Sequence, residues 1–240
     1  MFDVSVIVTF HSEKLLASPT LASIKRMRSV ATQKGITNEL VIVMDRADDE
    51  TKQIVRRQTI DDPAVKIMEV DNGDLGLSRN DGLDAARGEL ICIVDGDDLY
   101  SPNWIERTVA CLKNYGTRTV VHPELAISFG AKHEVFRMID QSDPAYDPAA
   151  LFTVNYWCSW VSGFRETFLS VPYGATGNSG FGYEDWHWNC AIIVAGFEHR
   201  IAPGVAGFYR RKEASLCALH QQQSAIIRRT ELFSARFIAV

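Results

Sequence analysis

Residues 91–102, ICIVDGDDLYSP, place Asp95, Asp97 and Asp98 within four residues at the end of an apolar run. Carboxylates gathered so closely repel one another, and each raises its neighbours' pKa unless a cation is supplied. Their oxygens suit hard divalent ions, and Mg2+ or Mn2+ held by one or two carboxylates completes its shell with substrate phosphates. Asp95, Asp97 and Asp98 are therefore expected to hold Mg2+ or Mn2+ and to meet a phosphorylated ligand. In isolation the same aspartates also fit a turn that caps the following helix.

Elements that would position this cluster can be read upstream. Short β-rich runs, VSVIVTF, ELVIVMD, VKIMEV, LICIVD and TVVHP, alternate with helical patterns as far as Pro123. Leu21, Ile24, Met27 and Ala31 mark one helix, Ile54 and Val55 a second over about 49–59, and a third spans about 78–86. Strand and helix in alternation predict an α/β fold with a parallel sheet whose ligands gather at the strands' carboxyl ends. Ser101 reads as an N-cap with Pro102 in the first turn of a helix whose stripe is Trp104, Ile105, Thr108, Val109 and Leu112. Beyond Pro123 the alternation fades into strands around AISFG and EVFRM, a loop, and a segment rich in Trp, Tyr and Gly. The shift in composition sets a boundary between halves 1–123 and 124–240. GATGNSGFGYED, the one strongly Gly-rich stretch, reads as a mobile loop.

Composition narrows the partners. With 25 Lys and Arg against 30 Asp and Glu, the net charge of −5 argues against a nucleic-acid surface. The five cysteines are widely spaced without a C-x-x-C pair, which suggests neither a disulfide framework nor a zinc site and fits a cytoplasmic setting. MFDVSVIVTFHSEK has no basic leader, and CAIIVAGF falls far short of the ~18 apolar residues of a bilayer span.

GDLGLSRNDGLDAARGELICIVDGDDLYSPNWIE resembles the family 2 glycosyltransferases in its Arg-Asn pair, its Gly-Glu and its apolar strand into Asp-x-Asp-Asp. VSVIVTFHSEKLL and LVIVMDRADDET extend the similarity over the first half. The resemblance implies the GT-A fold: a Rossmann-like parallel-sheet half, 1–123, that binds the nucleotide-sugar donor, fused to a smaller mixed half, 124–240, that binds acceptor and carries the base. It further implies an inverting transfer from a nucleoside-diphosphate sugar, with UDP-sugars common in that family. Asp95 and Asp97 match the D-x-D that holds donor ribose and the diphosphate-bound metal, with Asp98 beside them. Asp45 matches a carboxylate that accepts from the base, and Arg79 matches an arginine near that base. Thr9, His11 and Glu13 match the base-contacting turn. Gly96 is expected to leave room for backbone to approach the ligand.

Glycosyl transfer needs a group that takes the proton of the attacking hydroxyl. In GFGYEDWHWNCAIIVAGF, Glu184 and Asp185 open an apolar helical run and resemble that family's Glu-Asp motif, which implies Asp185 as the base with Glu184 beside it. A helix N-terminus favours the charged form of such a carboxylate, although both residues equally suit a cap. GVAGFYRRKEASLC resembles a terminal Tyr-Arg-Arg-His stretch that closes over donor phosphates, so Arg210, Arg211 and Lys212 are donor-binding candidates. Lys212 stands where histidine is common and cannot ligate a metal as imidazole does, leaving His220 as the substitute metal ligand of this half. Trp157, Trp160, Trp186 and Trp188 are read as an acceptor platform, since aromatic faces pack on the C–H face of a sugar, with at least one expected in the core. Ile226, Ile227, Phe233, Phe237 and Ile238 beside Arg228, Arg229 and Arg236 predict a basic amphipathic helix over 221–240. Its packing is expected against its own domain, and a lipid-linked acceptor would bring peripheral contact with the inner membrane face. A glycan or lipid-linked acceptor is the expected partner. The rival reading is a non-catalytic nucleotide-sugar or glycan-binding module of the same fold.

Overall fold

The computed structural model describes residues 2–176, 180–212 and 215–234. Strands β1 (Phe2–Phe10), β2 (Asn38–Asp45), β3 (Val65–Val70) and β4 (Gly88–Asp95) pair in parallel in the order β3-β2-β1-β4. Helices α1 (Ala17–Gln33), α2 (Asp49–Thr59) and α3 (Leu75–Ala85) connect them. From Val4 to Phe10 and throughout β2 every residue is buried, the continuous apolar reading of strands covered on both faces. Thr9 lies opposite Val43 in β2 and Asp95 in β4, so the carboxyl ends of the three strands form one rim.

The remaining strands continue the same sheet. After β5 (Leu99–Tyr100) and α4 (Trp104–Tyr115) come β6 (Thr119–Gly130), β7 (Val135–Arg137), β8 (Val161–Phe164), α5 (Arg165–Ser170), α6 (Glu184–Val194), β9 (Glu198–Arg211) and α7 (Leu216–Gln222). β8 inserts antiparallel between β4 and β6, β9 runs parallel to β6, and β5 pairs antiparallel with β9. β6 passes through residues 123 and 124 with only a register shift between Pro123 and Leu125, so both halves share one sheet.

Several local expectations are revised. α3 begins three residues earlier than the apolar pattern suggests, because Asp74 caps it by accepting from the Leu77 amide at 3.1 Å. α4 begins at Trp104, with Asn103 rather than Ser101 at its N-cap position. Ser101 is committed to β9, its Oγ accepting from the Ala206 amide at 3.2 Å. The basic amphipathic helix is not formed among described residues 223–234: Ser224 has φ 51°, Ile226 bridges to Phe181, and only a 3-10 turn follows at Glu231–Phe233. Arg236, Phe237 and Ile238 lie outside the described residues, as does the 177–179 part of the expected mobile loop. Among the described residues no helix is long and apolar enough to cross a membrane.

Candidate active site

β4 delivers Asp95 to the rim, and the sheet then turns sharply through Gly96. A Cβ at Gly96 would lie 2.5 Å from the Thr9 carbonyl oxygen and 2.7 Å from the Phe10 ring. Glycine is thus required here by the close approach of β1. The Tyr100 hydroxyl accepts from the Asp95 amide at 2.7 Å and donates to its carbonyl at 2.8 Å, which fixes the turn.

Each aspartate of the cluster has its own setting. Asp95 accepts from Arg79 Nη2 at 2.9 Å and from the Ser159 hydroxyl. Asp97 is paired with Lys212 Nζ at 2.5 Å. Asp98, 1% exposed, accepts from the Arg210 amide at 2.7 Å and from Trp160 Nε1 at 3.2 Å. Burial, with Asp97 and Asp95 nearby, pushes the Asp98 carboxyl well above its ordinary range. Asp98 therefore faces inward, which leaves Asp95 and Asp97 as the candidate metal ligands. The negative charge felt by Asp98 is what a divalent ion would relieve, and two hard oxygen donors fit Mg2+ or Mn2+. Among the described residues no group of three or more His, Cys, Asp or Glu converges to hold a metal by itself. His220 Nδ1 accepts from the Tyr183 amide at 3.3 Å and its ring packs 5.0 Å from that of Tyr183.

Strand alternation sorts the basic residues, a consequence of successive side chains pointing to opposite faces. Arg210 Nε donates to the Asp97 carbonyl at 2.8 Å, and Lys212, two residues on, reaches the Asp97 carboxylate. Arg211 turns the other way, donating to Ser128 Oγ at 3.3 Å and lying 3.7 Å from Glu134. Arg210, Arg211, Lys212, Ser215 and Gln221 all line a cavity of about 140 Å³.

On the donor rim, Asp45 accepts four hydrogen bonds: from the amides of Asn72 and Gly73 at 2.9 Å, of Asp74 at 3.2 Å, and from Ser78 Oγ at 2.9 Å. A carboxylate offers about four lone-pair sites, so Asp45 shapes the 72–78 turn and keeps no free acceptor for a base. His11 is exposed and donates from Nδ1 to the Asp45 carbonyl at 2.7 Å, leaving its ring face open at the rim. Glu13 accepts from the His11 amide at 2.6 Å, and burial raises its pKa. Thr9 is buried beneath this turn.

The second half meets the first through Arg79. Expected near the base, Arg79 is instead 1% exposed and held between Asp95 and Glu184, whose Oε1 accepts from Nη1 at 2.8 Å. Glu184 is thereby ion-paired with Arg79, and Asp185 beside it stands as the candidate base. Burial first and Glu184 second push the Asp185 carboxyl up to about 7. Burial and the Glu184 charge outweigh the helix N-terminus, which was expected to keep Asp185 charged. Tyr183, immediately before the pair, sits in the left-handed region at φ 56° and ψ 54°, the kind of backbone strain that concentrates at functional sites.

The aromatic platform is largely core. Trp157, Trp160 and Trp188 are at most 1% exposed, with Trp157 stacked on His199 at 3.7 Å and Trp188 on Phe168 and Tyr173. Such rings present no face to a sugar. Trp186 alone is half-buried, its Nε1 donating to the Leu151 carbonyl at 3.1 Å. Ser159, Tyr100 and Asn155 complete the site without having been singled out in the sequence. Tyr100 lies in the two-residue strand β5 and the other two in an irregular loop, where no periodicity points to them.

Residues 5–181 match the family described as glycosyl transferase family 2. The succinoglycan biosynthesis protein ExoO of Rhizobium meliloti is 30% identical over 52% of this chain and 35% of its own length. The GalNAc(5)-diNAcBac-PP-undecaprenol beta-1,3-glucosyltransferase of Campylobacter jejuni is 33% identical over 41% of this chain and 30% of its own. The chain thus matches about a third of the length of each of these relatives. Among solved structures, S. aureus TarS in complex with UDP-GlcNAc superimposes with a TM-score of 0.70 at 16% identity, covering 89% of this chain and 60% of that one. At that identity the likeness shows a shared GT-A fold.

Proposed function

From a chain that belongs to glycosyl transferase family 2 and is a glycosyltransferase, we propose an inverting, metal-assisted transfer from a nucleoside-diphosphate sugar to a hydroxyl of a glycan or lipid-linked glycan, with Asp185 as the general base. The donor class is a UDP-sugar, a reading supported by the UDP-GlcNAc and UDP complexes of TarS. The observation that carries the proposal is the Arg79 tie, which draws Asp185 beside the Asp95 rim. The acceptor oxygen attacks the anomeric carbon from the face opposite the diphosphate. Asp185 takes the hydroxyl proton while the bond from anomeric carbon to phosphate oxygen breaks and its electron pair leaves with the nucleoside diphosphate. A base with pKa of about 7 is matched to that task near neutrality.

Asp95 and Asp97 would hold Mg2+ or Mn2+, which when bound neutralises charge growing on the departing diphosphate. Lys212 and Arg210 add fixed positive charge on the same side. A thermal-shift series with UDP, GDP, dTDP and their sugars, each with Mn2+ and with a chelator, tests the donor reading. Ligand at about 100 times its dissociation constant adds roughly 2.7 kcal/mol, so the expected result is a metal-enhanced rise in Tm with uridine ligands. No rise with any nucleotide, despite a cooperative melt, would overturn it.

A further inference from the structure

We propose that Asn155 is a positioning residue for Asp185, held in its working orientation by Asn189. The inference rests on Asp185 as the base. Asn155 Nδ2 donates to Asp185 Oδ2 at 3.3 Å, the side-chain hydrogen bond that Asp185 receives among the described residues. An asparagine amide can sit either way round, but here its orientation is determined. Asn155 Oδ1 accepts from Asn189 Nδ2 at 3.1 Å and from the Trp157 amide at 3.4 Å, two groups that can only donate there. The amide nitrogen must therefore face Asp185.

Asn189 is itself constrained. It lies 1% exposed on α6, four residues after Asp185 and so on the same helix face, and its Nδ2 also donates to the Trp157 carbonyl at 3.4 Å. Its own carbonyl meets His199 Nε2 at 3.0 Å, and His199 Nδ1 lies 2.9 Å from His122 Nε2. A chain of buried polar groups therefore runs from β6 and β9 through α6 to the loop that carries Asn155. Such second contacts fix the direction of a reactive carboxylate, and their loss costs rate more than binding. The charged and titratable groups around Asp185 are Arg79 on α3, Asp95 on β4, Glu184 and Cys190 on its own helix, and Tyr173 and Cys158 in flanking segments. Tyr183 before the helix and Cys217 on α7 complete the set. Asn155 adds to these a neutral donor aimed at one oxygen.

Asn155→Asp is the discriminating variant, since it is isosteric and keeps an acceptor toward Asn189 and Trp157. It replaces the donor facing Asp185 by a second carboxylate. The expected result is a kcat at least about tenfold lower, donor KM within about threefold of the parent, and an acid limb of the pH–rate profile moved up by about one unit. Asn155→Ala should lower kcat with a smaller shift of that limb, and the melting curve of each variant reports whether it folds. An unchanged acid limb in Asn155→Asp, or kcat and KM worsening together at every pH, overturns the assignment. Asp185→Ala runs alongside: full turnover there would sink the base itself, whereas a dead Asp185→Ala with a parent-like Asn155→Asp sinks the role of Asn155 alone.

Discussion

The Arg79 guanidinium joins Glu184 to Asp95, donating to one at 2.8 Å and to the other at 2.9 Å across a sequence separation of 105 residues from Glu184. One buried cation is thus shared by two carboxylates from different halves and brings the start of α6 against the tip of β4. Its removal leaves two buried negative charges unpaired beside Asp185. Arg79→Ala is expected to lose about 3–5 kcal/mol of stability, read as a lower denaturant midpoint. Arg79→Lys should recover only part of this loss, because a single ammonium lacks the fork that spans both partners.

Activity should rise with pH through about 7. Asp185 acts as a base only when deprotonated, and burial together with Glu184 raises its pKa to about 7, so turnover falls as pH drops below that value. A profile of kcat against pH with saturating donor and acceptor checks this. A flat profile from pH 5 to pH 8, on the order of three units spanning the Asp185 titration, would contradict the assignment.

Lys212 and a divalent ion address the same carboxylate. With Lys212 Nζ 2.5 Å from Asp97, Lys212→Ala should weaken binding of UDP about tenfold in chelator, the worth of one charge-assisted hydrogen bond, and Mn2+ should restore part of it. Isothermal titration with and without Mn2+ measures both. Equal affinity of variant and parent in chelator would remove Lys212 from the phosphate site.

Much of this site is legible along the chain, and the rest is hidden for identifiable reasons. An apolar run ending in aspartates, and a helix opening on Glu184 and Asp185, are local patterns that survive folding. The partner of Arg79 is not local: nothing in the α3 pattern says that this arginine faces inward to meet a residue in the other half. Aromatic composition marked four tryptophans without distinguishing an exposed ring from a core one, and three are core. Arg210 and Arg211 were separable in principle, since period-two alternation follows once GVAGFYRR is read as strand. Asn155 and Ser159 lie in a loop whose conformation is set by its neighbours, so no spacing announces them.

Trp160 supports the inward turn of Asp98 only because Gly207 has no side chain. A Cβ there would lie 2.1 Å from Trp160 Cζ3. Gly207→Ala should cost about 1–3 kcal/mol through overpacking, seen as a lower Tm, and should reduce nucleotide binding as the Asp98 turn shifts. A variant as stable as the parent would mean that this contact relaxes freely.

Acid sensitivity has a separate source where β6 meets β9. His122 and His199 are fully buried, and burial pushes His122 down to about 3 and His199 well below its ordinary value. Both rings stay neutral in the fold but charge on unfolding once pH falls below about 6.5. Their contribution is complete above that pH and is lost progressively toward pH 3. Equilibrium unfolding at a series of pH values should show this decline, and a His122→Asn, His199→Asn double variant should start less stable and show a flatter pH dependence.

Asp185→Asn, assayed with a UDP-sugar donor and Mn2+, tests the central claim most directly. The account predicts turnover reduced by about 100-fold or more while UDP still raises Tm as in the parent. Turnover within a few-fold of the parent, with the same nucleotide binding, would contradict Asp185 as the base that activates the acceptor.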